Sequence, residues 1–128
     1  MRHLDTSIVV GYLRGERALA DRIKANLPDI AVSAIALAEL EFGARASKQP
    51  AENLAKLAEF VEFSPVLSFD AMCASCYGEI RNRLKSSGRP IGETDMLIGA
   101  VALAHRATIV TRNKRHFMEI EGLQVEEW

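Results

Sequence analysis

Short β-rich segments alternate with longer helical ones along this chain, and that alternation constrains its fold more than any other feature. His3-Leu4, Ile30-Ala31-Val32, Pro65 to Ser68, Thr108-Ile109-Val110 and Leu123-Gln124-Val125 read as strands. Helical patterns fall between them: Ser7 to Arg14 with Thr6 as N-cap, Ala18 to Asn26, Ser33 capping a run to about Arg45, and Ala51 to Glu62. Asp70 then caps a long helix to about Ser86, and Thr94 to His105 forms an apolar one. Leu27-Pro28-Asp29 and Ser87-Gly88-Arg89-Pro90 are breakers. Strands alternating with helices imply βαβ units and a parallel sheet covered on both faces. In such sheets a site forms at the carboxyl ends of the strands.

The chain has 128 residues and no linker, repeat or low-complexity tract, so residues 1–128 are read as a single domain. No apolar run approaches the ~18 residues of a membrane span. Asp5 interrupts the N-terminal apolar stretch, which therefore does not read as a signal peptide. Two cysteines are too few for a disulfide framework, and a cytoplasmic location is expected. Sixteen Lys and Arg against seventeen Asp and Glu give a net charge of −1. That balance weighs against a passive nucleic-acid binder, which is usually basic. An enzyme that holds a metal with carboxylates and phosphates with a local basic rim remains open.

Three carboxylates stand out, and each also has a structural reason to be where it is. Asp5 follows the first strand, as a site residue or as a helix cap. Glu39 is four residues after Ile35 and three before Phe42, which puts it on their apolar-looking face. An ionised carboxylate on a buried face must be paired or metal-bound. Glu41 instead lies four before Arg45 and can form an exposed ion pair. Asp95 opens a helix whose dipole favours an anion, and Glu93 is a second acid close by. All three of Asp5, Glu39 and Asp95 are placed at strand-to-helix junctions or on the turns just beyond. Converging at one sheet edge, they would make an oxygen-ligand site for Mg²⁺ or Mn²⁺.

The segments LDTSIV, VSAIALAELEFGA, GRPIGETDMLIGA and ATIVTRNKRHF, with the terminal GLQVEEW, resemble the PIN-domain toxins of VapC type over essentially the whole chain. The resemblance implies a three-layer α/β/α fold with a short, mostly parallel central sheet. It also implies a metal-dependent endoribonuclease acting on RNA, a cognate antitoxin protein and a homodimer. By motif position Asp5, Glu39 and Asp95 correspond to the family's first three acids. Two positions depart from its pattern. Ser7 stands where an Asn is frequent, and Asn113 stands where many relatives carry a fourth acid. Asn113 brings no charge, and Glu93 could supply some from the other side.

Among the remaining residues, Thr6 and Thr111 bring hydroxyls that can orient carboxylates or waters, or cap helices. Arg112, Lys114, Arg115 and His116 form the densest basic cluster, in the loop after a strand, where contact with RNA phosphates competes with simple solvation. Arg81, Arg83, Lys85 and Arg89 form a second basic stretch, read as a solvated face. Cys73 and Cys76 have redox-motif spacing but no second pair, and are expected to be reduced thiols in a helix. His3, His105 and His116 show no ligand spacing. Phe117 and Trp128 are expected to pack.

The chemistry expected is hydrolysis of RNA phosphodiester bonds with Asp5, Glu39 and Asp95 holding the cation. The competing readings are a PIN-fold binding module without useful turnover, and a DNA nuclease or phosphatase of similar architecture. An unoccupied carboxylate pocket would attract a guanidinium. The antitoxin is therefore expected to lay an Arg among the three acids, with apolar residues packed beside them.

Overall fold

The computed structural model describes residues 1–88 and 91–128. Arg89 and Pro90, which belong to the expected Ser87–Pro90 turn, lie outside the described residues. Five parallel strands form one sheet in the order β3-β2-β1-β4-β5. They are β1 (Arg2–Leu4), β2 (Ile30–Ser33), β3 (Val66–Leu67), β4 (Thr108–Thr111) and β5 (Gln124–Glu127). Helices α1 (Thr6–Leu13) and α2 (Arg17–Ala25) connect β1 to β2. Helices α3 (Ala34–Arg45) and α4 (Pro50–Phe63) connect β2 to β3. Helices α5 (Ala71–Ser87) and α6 (Glu93–Ala104) precede β4, and α7 (Lys114–Phe117) precedes β5.

The sheet's interior strands are apolar because they are covered on both sides. All four residues of β2 are buried, as are His3 and Leu4 of β1 and Ile109 to Thr111 of β4. Helix α6 is buried on most of its surface, with Met96, Ile98, Gly99, Ala100, Val101 and Ala102 all in the interior. That explains why its sequence shows so little amphipathic patterning. Gly99 gives the segment after α7 room to close onto α6: a Cβ there would stand 2.5 Å from Cδ1 of Ile120, so the Ile120 side chain would have to shift. Helix α5 is patterned instead, burying Cys73, Ile80 and Leu84 along one stripe. It ends at Gly88, whose φ of 66° gives the left-handed cap that glycine favours.

Several local expectations change in the structure. Asp5, and not Thr6, is the N-cap of α1: its Oδ1 accepts from the Thr6 backbone N–H at 2.8 Å. The basic segment after β4 is not wholly a loop, since Lys114–Phe117 form α7. Helix α6 begins at Glu93, so Asp95 is its third residue and not its cap. Asp95 is also not beyond a strand end. It reaches the carboxyl edge of the sheet because α6 leads back into β4, placing its N-terminus near the end where β4 finishes. Ser33 caps α3 as expected, accepting from Ala36 N–H at 3.0 Å. Such a cap is worth about 1 kcal/mol.

The cysteines are free, Cys73 buried and Cys76 partly so, and burial pushes both thiols up from their ordinary value. Phe117 is fully buried, and Trp128 packs against the core with its indole N–H on Glu126. Among the described residues no helix is long and apolar enough to cross a membrane.

Candidate active site

The short strand β1 delivers Asp5 to the carboxyl edge, where it is 3% exposed. Its main-chain N–H donates to the carbonyl of Val110 at 2.9 Å, which extends the β1–β4 pairing to the site itself. Three donors hold the carboxylate. Thr6 N–H bonds Oδ1, while Ser7 Oγ and Thr111 Oγ1 bond Oδ2 at 2.9 and 2.7 Å. Burial pushes the Asp5 carboxyl above its ordinary value, and the charge of Asp95 pushes the same way. The hydrogen bonds from Thr111, Ser7 and Thr6 pull it back down. Asp5 is thus the cap of α1, one of the two readings its position allowed, and it caps the helix at the very edge where the other reading would place a site.

Thr6 joins Asp5 to Glu39. Its N–H serves Asp5, and its Oγ1 donates to Glu39 Oε1 at 2.6 Å across the α1–α3 contact. The face that carries Glu39 corrects the reasoning from periodicity. Ile35, Glu39 and Phe42 do not form a buried face: Glu39 is exposed and Phe42 is 73% exposed. The buried stripe of α3 is Ala36, Leu40 and Ala44. Glu39 sits at the edge of that stripe, where it meets α1. Glu41 pairs with Arg45 at 3.3 Å, as expected.

Asp95, partly exposed, accepts from the ring of His116 on α7, with Nδ1 3.1 Å from Oδ2. Glu93 turns away toward α5, where the Tyr77 hydroxyl lies at 3.3 Å and the Arg81 guanidinium at 3.8 Å. Arg81 also donates to Tyr77, so this member of the second basic stretch is engaged and not merely solvated. Arg83 pairs with Glu121, and Arg89 lies outside the described residues.

Among the described residues Asn113 makes no side-chain cap bond; its backbone N–H donates to Thr111 Oγ1 at 2.9 Å, fixing the hydroxyl that serves Asp5. Arg112 is committed to Glu16 through a two-bond ion pair, and its own N–H donates to Ser7 Oγ. Lys114 and Arg115 are exposed and make no ion pair among the described residues.

Sequence reasoning passed over two of these contacts. Ser7 was visible only as a departure from a family pattern, yet its hydroxyl reaches Asp5. His116 was counted among the basic residues, and no spacing rule links it to Asp95 across 21 positions. The signal that could have found Ser7 is its place two residues after Asp5, in the first turn of the helix that Asp5 caps, close enough in sequence for its hydroxyl to reach that carboxylate.

Among the described residues no three His, Cys, Asp or Glu side chains close into a ready ligand set. The arrangement is an open one, with Asp5 and Asp95 in mutual repulsion and Glu39 tied in through Thr6. Hard oxygen donors, two of them repelling one another beside a buried edge, suit Mg²⁺. That ion commonly takes one or two carboxylates and fills its remaining positions with water and phosphate oxygens.

The PIN domain family matches residues 3–123. The tRNA(fMet)-specific endonuclease VapC of Shigella flexneri is 36% identical over 126 residues, covering 98% of this chain and 96% of that protein. Ribonuclease VapC2 of Rickettsia felis is 41% identical over 99 residues, covering 77% and 74%. Among solved structures, VapBC2 of Rickettsia felis bound to a promoter DNA fragment superposes with a TM-score of 0.94 at 35% identity, covering 99% of this chain and 98% of that one. DNA-bound VapBC of Salmonella typhimurium gives 0.95 at 32%, covering 99% and 97%. The fold and the carboxylate edge therefore define a PIN domain. Within that class the chain belongs to the VapC family of toxin–antitoxin ribonucleases.

Proposed function

We propose that this chain is the toxin of a toxin–antitoxin pair and a divalent-cation-dependent endoribonuclease, with Asp5, Glu39 and Asp95 as its site. The observation that carries this reading is the state of Asp5: a carboxylate almost wholly buried, held by three donors and facing a second carboxylate. Burying a carboxylate under the charge of another gains a protein nothing in stability without a cation. The named activities of the VapC relatives point to RNA as substrate.

Asp5 and Asp95 would hold the Mg²⁺ or Mn²⁺, with Glu39 completing the acidic edge. Bound there, the cation would supply polarisation of a phosphoryl oxygen and a more acidic water. The protein's own groups do the rest. Thr6, Ser7 and Thr111 fix the Asp5 carboxylate, and Thr6 also fixes Glu39. Lys114 and Arg115 stand free to bind RNA phosphates beside the acids, while Arg112 would have to leave Glu16 to join them.

A groove of about 240 Å³ runs between α1, α3 and α4, lined by Val10, Leu13, Leu40 and Leu57 and including Thr6 and Glu39. It offers apolar contacts contiguous with the acidic edge. An antitoxin segment lying there with an Arg directed among Asp5, Glu39 and Asp95 would block the site; that the neighbouring solved structures are VapBC complexes supports an antitoxin partner.

The test is cleavage by the purified chain of single-stranded RNA, DNA of the same sequence and a chromogenic phosphate ester, each with Mg²⁺ and with chelator. RNA cleavage that needs Mg²⁺ and stops when the antitoxin is added is expected. Undiminished cleavage in chelator would sink the metal mechanism, and cleavage of DNA or ester alone would assign a different substrate.

A further inference from the structure

The two acids nearest the proposed cation are not equally supported. Asp5 has three donors, whereas Asp95 has one bonded side chain among the described residues, His116. An ionised carboxylate can only accept, so His116 must carry its hydrogen on Nδ1, in either charge state of the ring. The bond therefore fixes both the tautomer of His116 and the Oδ2 atom of Asp95.

The segment from Thr111 to Phe117 is attached to both acids. At its start Thr111 Oγ1 donates to Asp5 and accepts from Asn113 N–H. Near its end His116 reaches Asp95. The next residue, Phe117, is fully buried. A Cβ on Gly99 would lie 3.7 Å from the Phe117 ring, which places that ring against α6. Gly99 is four residues after Asp95 and so shares its helix face. Phe117 thus seats α7 one turn below Asp95, and His116 is carried to the carboxylate by a buried anchor instead of by a floppy loop.

We propose that His116 is the positioning residue of Asp95: it holds the Asp95 carboxylate in place against repulsion from Asp5, and the 111–117 segment sets the separation of the two acids. This rests on reading Asp95 as a ligand of the divalent cation. The role resembles that of the hydrogen-bonded partners that orient ligating groups in metal sites, whose loss costs about 10- to 100-fold in metal affinity or activity.

The experiment measures Mn²⁺ binding to the purified full chain by electron paramagnetic resonance, alongside the Mg²⁺ dependence of RNA cleavage. The variants are His116→Ala, His116→Asn and Asp95→Asn. His116 is 53% exposed at its side chain, so its replacement should leave the fold intact. In His116→Ala the Mn²⁺ dissociation constant and the half-saturating Mg²⁺ concentration should each rise about tenfold. Cleavage at saturating Mg²⁺ should stay within about threefold of wild type, because the loss is one of cation affinity. His116→Asn, which keeps a short N–H donor, should recover most of the affinity. Unchanged Mn²⁺ affinity in His116→Ala, with affinity lost in Asp95→Asn, would overturn the positioning role alone. Unchanged affinity in Asp95→Asn would overturn the metal site and the positioning role together. Lost cleavage at saturating Mg²⁺ with intact Mn²⁺ affinity would make His116 an RNA contact, which also refutes the proposal.

Discussion

His3 lies in the central strand β1, 1% exposed, with neither ring nitrogen hydrogen-bonded. Its ring packs 5.5 Å from that of His105 at the end of α6. Burial, then His105, then the N-terminal amine hold its pKa down, from 6.5 to about 4. Between those values the unfolded chain binds a proton that the folded chain refuses. Stability from this group is therefore fully present above pH 6.5 and is lost as pH falls toward 4, with no further loss below. At about 1.4 kcal/mol per pH unit, the gap amounts to about 3 kcal/mol. That is a large part of the 5–15 kcal/mol typical of a domain. Replacing His3 by Phe keeps a ring beside His105 and removes both orphaned nitrogens. Urea unfolding of wild type and His3→Phe across pH 4.5 to 7.5 isolates the effect, because other titrating groups cancel in the difference. The wild type should lose about 2.5 kcal/mol relative to the variant as pH falls through that window. A difference that stays flat with pH would refute the account of His3.

Asp5→Asn should abolish cleavage while leaving the metal-free protein equally or more heat-stable. The folded Asp5 carboxyl sits above its unfolded value, so its contribution is lost as pH rises and the ionised form is a liability at neutral pH; a marked drop in melting temperature would favour a purely capping role. Glu39→Gln should be inactive and Glu41→Gln near wild type in the same RNA assay, since only Glu39 is bonded to Thr6. Thr111→Val should lower the urea midpoint by an amount equivalent to about 1–3 kcal/mol, because the buried Asp5 Oδ2 loses one of its two donors and the Asn113 N–H loses its acceptor; an unchanged midpoint would show that water replaces the hydroxyl.

The parallel sheet was legible because β2 and β4 read as continuous apolar runs bounded by capping and turn residues. Asp5 was legible for the same reason, as the first polar residue after a buried strand. Glu39 was singled out for a face that is in fact exposed, since Phe42 is an apolar residue left outside the core. A three-residue periodicity cannot tell a buried face from an apolar one that points outward. Asp95 reached the edge by a route the strand-end rule does not describe, through a helix that runs back into β4. The bonds from Ser7 and His116 depend on side-chain directions fixed only when α1, α6 and α7 pack together. Periodicity carries no trace of them.

The central claim is that Asp5, Asp95 and Glu39 hold the catalytic cation. Crystals of the purified chain soaked in Mn²⁺ test it most directly, by anomalous scattering at the manganese edge. A single strong peak bounded by the Asp5 and Asp95 carboxylates, with Glu39 beside it and loss of the peak in Asp5→Asn, is the result expected. A peak elsewhere, or none at this edge in crystals of protein that cleaves RNA, would contradict it.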